Sequence, residues 1–157
     1  STLGKGTSFK LTLPETLITK PQETGAKNKE VIPLPNWSGR KVLIAEDEEV
    51  NYRFLCQILN KTKIEIVWAK DGREAADIVA KDGDIDVILM DIRMPEMDGF
   101  EAIKEIRIID KNIPVIAQTA YASAEDELKV FKSGFNAYLA KPIKNIDLLA
   151  SMANYLK

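Results

Sequence analysis

From Lys41 to the carboxyl end, two kinds of hydrophobic pattern alternate along the chain. Short apolar runs at about 42–46, 64–68, 85–90, 113–118 and 136–140 suit strands buried on both faces, as in a parallel sheet. Between them lie segments of helical period. The first, 48–61, puts Val50, Phe54, Ile58 and Leu59 on one stripe. The second, 71–82, turns Ala75, Ile78 and Val79 inward, with Asp71 as N-cap and Glu74 as its capping-box partner. The third, 98–109, uses Phe100, Ile103 and Ile106, and Asp98 with Gly99 shapes the preceding loop and caps it. The fourth, 123–132, starts at Ser123 with Asp126 three residues on; the last, 145–156, uses Ile146, Leu149, Ala153 and Leu156. Five strand–helix repeats predict an α/β fold: a doubly wound, five-stranded parallel sheet with right-handed crossovers.

Residues 1–40 stand outside that rhythm. Pro21, Gly25, Pro33 and Pro35 among polar residues mark an extended linker. Ahead of it, Phe9-Lys10-Leu11-Thr12-Leu13 alternates as a single strand does, and a single strand cannot bury a core. Trp37, just before the first run, is expected to anchor the linker by packing. Charge divides at the same place: residues 1–40 hold six Lys/Arg against three Asp/Glu, whereas 41–157 hold sixteen against twenty-one. An acidic domain suits a cation site and argues against a DNA-reading surface.

The chain has no histidine and one cysteine, Cys56, so imidazole chemistry and an internal disulfide are excluded within it. Cys56 reads as a small packing residue. No apolar run approaches the roughly 18 residues of a membrane span, and no signal-peptide pattern is present, so a cytoplasmic location is expected.

Candidate chemistry gathers where the apolar runs end. Glu46-Asp47, Asp91, Thr119 and Lys141-Pro142 each close a run, and in an open parallel sheet ligands bind beyond the carboxyl ends of the strands. An Asp carboxylate is a serviceable nucleophile toward phosphorus, but it must approach an anionic donor. A divalent cation relieves that repulsion, and Mg²⁺ favours one or two carboxylates with carbonyls and water. Glu46 and Asp47 would seat it beside Asp91. Lys141 would neutralise a second phosphoryl oxygen, and Thr119 would donate to a third.

These residues carry a family likeness. Leu43-Ile44-Ala45-Glu46-Asp47, Asp91-Ile92-Arg93-Met94-Pro95-Glu96-Met97-Asp98-Gly99, Thr119-Ala120 and Lys141-Pro142, in that order, resemble the receiver domain of two-component response regulators. The resemblance implies a flavodoxin-like sheet of order 2-1-3-4-5 and a phosphoryl group passed from a phosphohistidine to Asp91. It also implies Asp47 as a direct Mg²⁺ ligand, Glu46 acting through water where Asp is commoner, and the Arg93 backbone carbonyl completing the protein ligands. Thr119 and Tyr138 would form the conformational switch, Lys141-Pro142 would be a cis bond, and Arg93 and Tyr121 would influence how fast the phosphoryl group is lost.

Leu3-Gly4-Lys5-Gly6-Thr7-Ser8-Phe9, followed by Leu11-Thr12-Leu13-Pro14, is similar to the last glycine-rich box and terminal strand of a histidine-kinase ATPase domain. The expected organisation is therefore a kinase remnant at 1–16, a linker at 17–38 and a receiver at 39–157. The parent would be a hybrid sensor histidine kinase, itself membrane-anchored or not. Partners would be the parent's own phosphohistidine domain, a histidine phosphotransfer protein, or a second copy in a weak homodimer. Two other readings stand beside this one. A Mg²⁺-dependent phosphatase with an aspartyl nucleophile would want a second acid two residues after Asp91, where this chain has Arg93. A pseudo-receiver that only binds partners would not need the acids, Thr119 and Lys141 together.

Overall fold

The computed structural model describes residues 34–120 and 124–156, which belong to the second of the two units into which the chain divides, 33–157. Expectations placed on residues 1–33, Tyr121 and Ser123 lie outside the described residues. Five strands alternate with five helices: β1 (Lys41–Ala45), α1 (Glu49–Leu59), β2 (Glu65–Ala69), α2 (Gly72–Lys81), β3 (Val87–Asp91), α3 (Gly99–Ile109), β4 (Val115–Thr119), α4 (Ala124–Lys132), β5 (Ala137–Ala140) and α5 (Asn145–Ala153). A short 3-10 turn, Asn60–Thr62, follows α1. The sheet has the order β2-β1-β3-β4-β5, and every pairing is parallel.

Most strands begin later than the apolar runs that predict them. Ile64, Ile85 and Ile113 open those runs, yet they are buried residues that precede the paired segments. Hydrophobicity marks burial, whereas a strand is defined by its ladder, so the two boundaries differ by a residue or two.

Alternation along each strand divides the interior into two cores. Leu43, Ile88, Met90, Val115 and Ala117 pack toward α2, α3 and α4. Val42, Ile44, Val87, Leu89, Ile116 and Leu139 pack toward α1 and α5, together with Trp37, which is buried as expected. Its backbone N–H donates to the Thr62 carbonyl at 2.7 Å. Each large side chain so buried contributes roughly 1.5–3 kcal/mol.

The helix faces correct the sequence reading in two places. In α1, Ile58 and Leu59 are buried as expected, but Val50 is 77% and Phe54 43% exposed, and Leu55 faces the core in their place. In α5, Ile146 is 56% exposed and Ala153 is also exposed, while Leu148 and Met152 are buried; Leu156, just past the helix, is buried as expected. Both helices carry two apolar stripes of helical period about one residue step apart, and local periodicity cannot choose between them. The sheet chooses, by which stripe it meets. For α2 the reading is closer: Ala75 and Val79 are buried, and Ile78 packs against them in part. Asp71 caps that helix, accepting from the Glu74 N–H at 2.8 Å, but the Glu74 carboxylate turns back to the Lys70 N–H. In α3, Ile103 and Ile106 are buried, and Asp98 with Glu101 completes a reciprocal capping box.

Below the sheet, at the amino ends of its strands, Arg107 ties α3 to the last two strands. Its guanidinium donates to the Gly134 carbonyl from Nε (3.0 Å) and Nη2 (2.8 Å). It also donates to the Ile113 carbonyl (2.7 Å) and Asn136 Oδ1 (2.8 Å). Gly134 adopts φ +103° after α4, a conformation that side-chain-bearing residues rarely take.

Candidate phosphoacceptor site

Register brings the predicted residues to one rim. Ala45 pairs with Met90 and with Ala69, so Glu46-Asp47 and Asp91 emerge side by side. Asp91 pairs with Gln118 and Thr119 with Ala140, which places Thr119 and Lys141 next along the same edge. The ladder continues one step further: the Lys141 N–H donates to the Thr119 carbonyl at 2.7 Å, and the Ile92 N–H to the Gln118 carbonyl at 3.1 Å. The Lys141-Pro142 bond is cis.

Glycine sets the approach of the next loop. A Cβ on Gly99 would stand 2.5 Å from the Asp91 carbonyl oxygen and 2.9 Å from Ile92 Cα. Without one, the Gly99 N–H donates to the Ile92 carbonyl at 2.9 Å, and α3 starts directly against the strand end. Within this loop Glu96 takes a left-handed conformation, φ 60°, which is uncommon for a residue with a side chain.

Asp91 is nearly buried, Glu46 is fully buried and Asp47 is exposed. One carboxylate oxygen from each lies within 4.8 Å of the others. Hard oxygen donors so grouped match what Mg²⁺ takes from a protein. Lys141 occupies the same neighbourhood with its positive charge: Nζ lies 3.0 Å from Glu46 Oε2 and 2.5 Å from Asp91 Oδ2. The other Asp91 oxygen accepts the Arg93 N–H at 3.2 Å. The Arg93 side chain is exposed.

Burial dominates the electrostatics. It pushes the Glu46 carboxyl above the ordinary 4.5, although hydrogen bonds from Asn51 and Lys141 favour the ion; Asp91 nearby adds to the rise. For Lys141 burial is also the largest influence and would lower its pKa. The hydrogen bonds to Asp91 and Glu46, with their charges, outweigh it and leave Lys141 above 10.5. A cation is therefore firmly held between two acids.

Asp91, Thr119 and Lys141 share the wall of a cavity of about 650 Å³ that runs past Met94 and Phe100 to Lys129 on α4. Thr119 is buried at its edge. Tyr138, on β5, is half-buried against the α2–α4 core, its ring edge-on to Phe131 with centroids 6.1 Å apart. The sequence reading missed Asn51 and Trp68, both of which hold Glu46. Asn51 Nδ2 donates to Glu46 Oε1 at 3.0 Å, and Trp68 Nε1 donates to the Glu46 carbonyl at 2.8 Å. A faint signal was available for Asn51, since asparagine is a poor interior residue for a helix.

The profile of the family described as "Response regulator receiver domain" matches residues 42–153. The chain belongs to that family. Receiver domains of this kind work in phosphorelay signalling, and this one has their five-stranded fold. Over 123 residues it is 42% identical to hybrid signal transduction histidine kinase I of Dictyostelium discoideum, matching 73% of this chain and only 7% of that protein. It is 35% identical to the polar-differentiation response regulator DivK of Brucella anthropi over 119 residues, 74% of this chain and 96% of the relative. Among solved structures, it is 32% identical to the receiver domain of sensor histidine kinase PA1611 from Pseudomonas aeruginosa. That structure has a magnesium ion coordinated in the active-site cleft (TM-score 0.70; 76% of this chain, 98% of that one). A Saccharomyces cerevisiae receiver domain, solved in complex with a histidine phosphotransfer signaling protein, matches at 33% identity (TM-score 0.71; 78% of this chain, 90% of that one). Among the described residues no helix is long and apolar enough to cross a membrane.

Proposed function

We propose that this receiver domain accepts a phosphoryl group on Asp91 from a phosphohistidine. An Asp91 carboxylate oxygen forms the bond to phosphorus, the phosphorus–nitrogen bond breaks, and the imidazole nitrogen keeps the electron pair. One observation carries the reading: a nearly buried Asp91 stands within ligand reach of Glu46 and Asp47 while Lys141 bridges Glu46 and Asp91. Asp47, Asp91 and the Arg93 carbonyl would hold Mg²⁺ directly, with Glu46 acting through water. When bound, the ion supplies charge neutralisation between the attacking carboxylate and the phosphoryl oxygens. Lys141 turns from its two acids to a phosphoryl oxygen, and the Thr119 hydroxyl donates to another. Inward movement of Thr119 then makes room for Tyr138 to leave Phe131, which alters the surface of α4 and β5.

The kinase relative and the magnesium-bearing sensor-kinase receiver both favour a hybrid histidine kinase as the parent; residues 1–16 would then be the end of its ATPase domain. Relay to a histidine phosphotransfer protein fits the complex formed by the yeast relative. The domain is expected to work in the cytoplasm. The phosphatase reading gains no support, because the position two residues after Asp91 offers an exposed Arg93 and no second acid.

The decisive experiment is incorporation of phosphate from acetyl phosphate with Mg²⁺, followed by mass spectrometry. Asp91→Asn should gain no phosphoryl group while keeping its circular dichroism spectrum. Incorporation at the wild-type rate would place the acceptor elsewhere.

A further inference from the structure

We infer that Asn51 and Trp68 are positioning residues that aim the Glu46 carboxylate at the cation seat. The inference rests on the reading that Glu46 serves that seat, and it concerns why this particular acid can do so. Glu46 has a longer and looser side chain than aspartate, so an unrestrained Glu would lose rotamer freedom on every binding event. Here it has none to lose. Its Oε1 accepts from Asn51 at 3.0 Å and its Oε2 from Lys141 at 3.0 Å, while the residue itself is fully buried.

The backbone of Glu46 is fixed as well. Its N–H donates to the Ala69 carbonyl at 3.0 Å, extending the β1–β2 ladder by one step, and its carbonyl accepts the Trp68 indole N–H at 2.8 Å. Trp68 is itself clamped. Tyr52 stacks on it with centroids 4.1 Å apart and planes within 5°, and Lys70 stands over the indole at 5.4 Å. Asn51 and Tyr52 are consecutive on the first turns of α1, so one helix start holds the side chain directly and the main chain through the indole. When Lys141 moves toward a phosphoryl oxygen, Asn51 at 3.0 Å remains the nearer of the two donors on Glu46 Oε1, the other being the Glu48 N–H at 3.4 Å.

The test is Mg²⁺ affinity of the full 157-residue chain, measured by calorimetry and by tryptophan emission in a Trp37→Phe background that leaves Trp68 as the sole indole. Asn51→Ala should weaken Mg²⁺ binding about tenfold, the lower end of what loss of an outer hydrogen-bond partner costs a metal site. Trp68→Phe, which retains the stacking ring but not the N–H, should weaken it about threefold, a smaller part of the same effect. A merely structural Asn51 predicts the opposite: alanine is the better helix former, so stability would hold or rise and Mg²⁺ affinity would not move. The Trp68 emission should change on Mg²⁺ addition, with its midpoint shifted to higher concentration by Asn51→Ala. Wild-type affinity in both variants, with Glu46→Gln weakened, would overturn the positioning role alone. Wild-type affinity in Glu46→Gln and Asp47→Asn would show that the cation seat itself is misassigned, and the positioning role would fall with it.

Discussion

The two ends of the sheet handle charge in opposite ways. At the carboxyl rim Glu46 and Asp91 are buried, Asp47 lies beside them, and Lys141 bridges two of the three acids. At the amino rim the groups are more exposed and matched. Arg40 pairs with Asp86 at 2.9 Å and Lys41 with Asp82 at 2.9 Å, while Arg107 spends its donors on carbonyls and Asn136. Burying acids in excess of cations costs stability, and folding alone gives no reason to retain them. The carboxyl rim therefore holds an electrostatic deficit that an added cation would relieve, and the amino rim holds the domain together.

Removing Arg107 should have the largest effect on folding. Arg107→Met leaves the Gly134 and Ile113 carbonyls without their donor, and a loss on the order of 3 kcal/mol is expected in urea unfolding, with no response to Mg²⁺. If Mg²⁺ restored it, the division between the two rims would be wrong.

Lys141→Met comes next, at about 2 kcal/mol without Mg²⁺, because two buried or nearly buried acids lose their counter-charge. Here Mg²⁺ should recover much of the loss. The pH dependence gives a sharper measurement. Glu46 lies above 4.5 in the folded protein, so its contribution is most favourable below 4.5 and declines as pH rises through the raised value. Lys141→Met should steepen that decline, seen as a lower unfolding midpoint at neutral than at mildly acidic pH.

Asp82→Asn should do least. Hydrogen bonding from Lys41, aided by the Asp84 N–H, holds Asp82 below its ordinary 3.8. Its contribution is present above 3.8 and lost as pH falls through the depressed value. Wild type and Asp82→Asn should therefore differ slightly at neutral pH and converge in strong acid. An exposed pair of this kind contributes little.

The contrast between the rims also explains what could be read in advance. Glu46, Asp47, Asp91, Thr119 and Lys141 were legible because each closes an apolar run, and a parallel sheet sends every such end to the same side. Arg107 was not legible. Its partners Gly134 and Asn136 lie 27 and 29 positions away and offer a backbone carbonyl and an amide, which leave no mark in hydrophobic pattern. Asn51 and Trp68 escaped for a similar reason. One looks like a helix surface residue and the other like an ordinary strand aromatic, until α1 and β2 meet at Glu46.

The sequence by itself determined the alternation of strands and helices, the acids at the strand ends, and the Asp98-Gly99 pair that shapes the loop and caps α3. These are local properties, written in periodicity and in the steric needs of single positions. Tertiary structure alone decided that Leu55 and Leu148 turn inward in place of Phe54 and Ile146, that Lys141 reaches both Glu46 and Asp91, and that Asn51 and Trp68 secure Glu46. Those outcomes depend on ladder register and on which helical stripe meets the sheet. Both are settled by contacts between residues far apart in the chain, where no local pattern can distinguish one apolar stripe or one polar neighbour from the next.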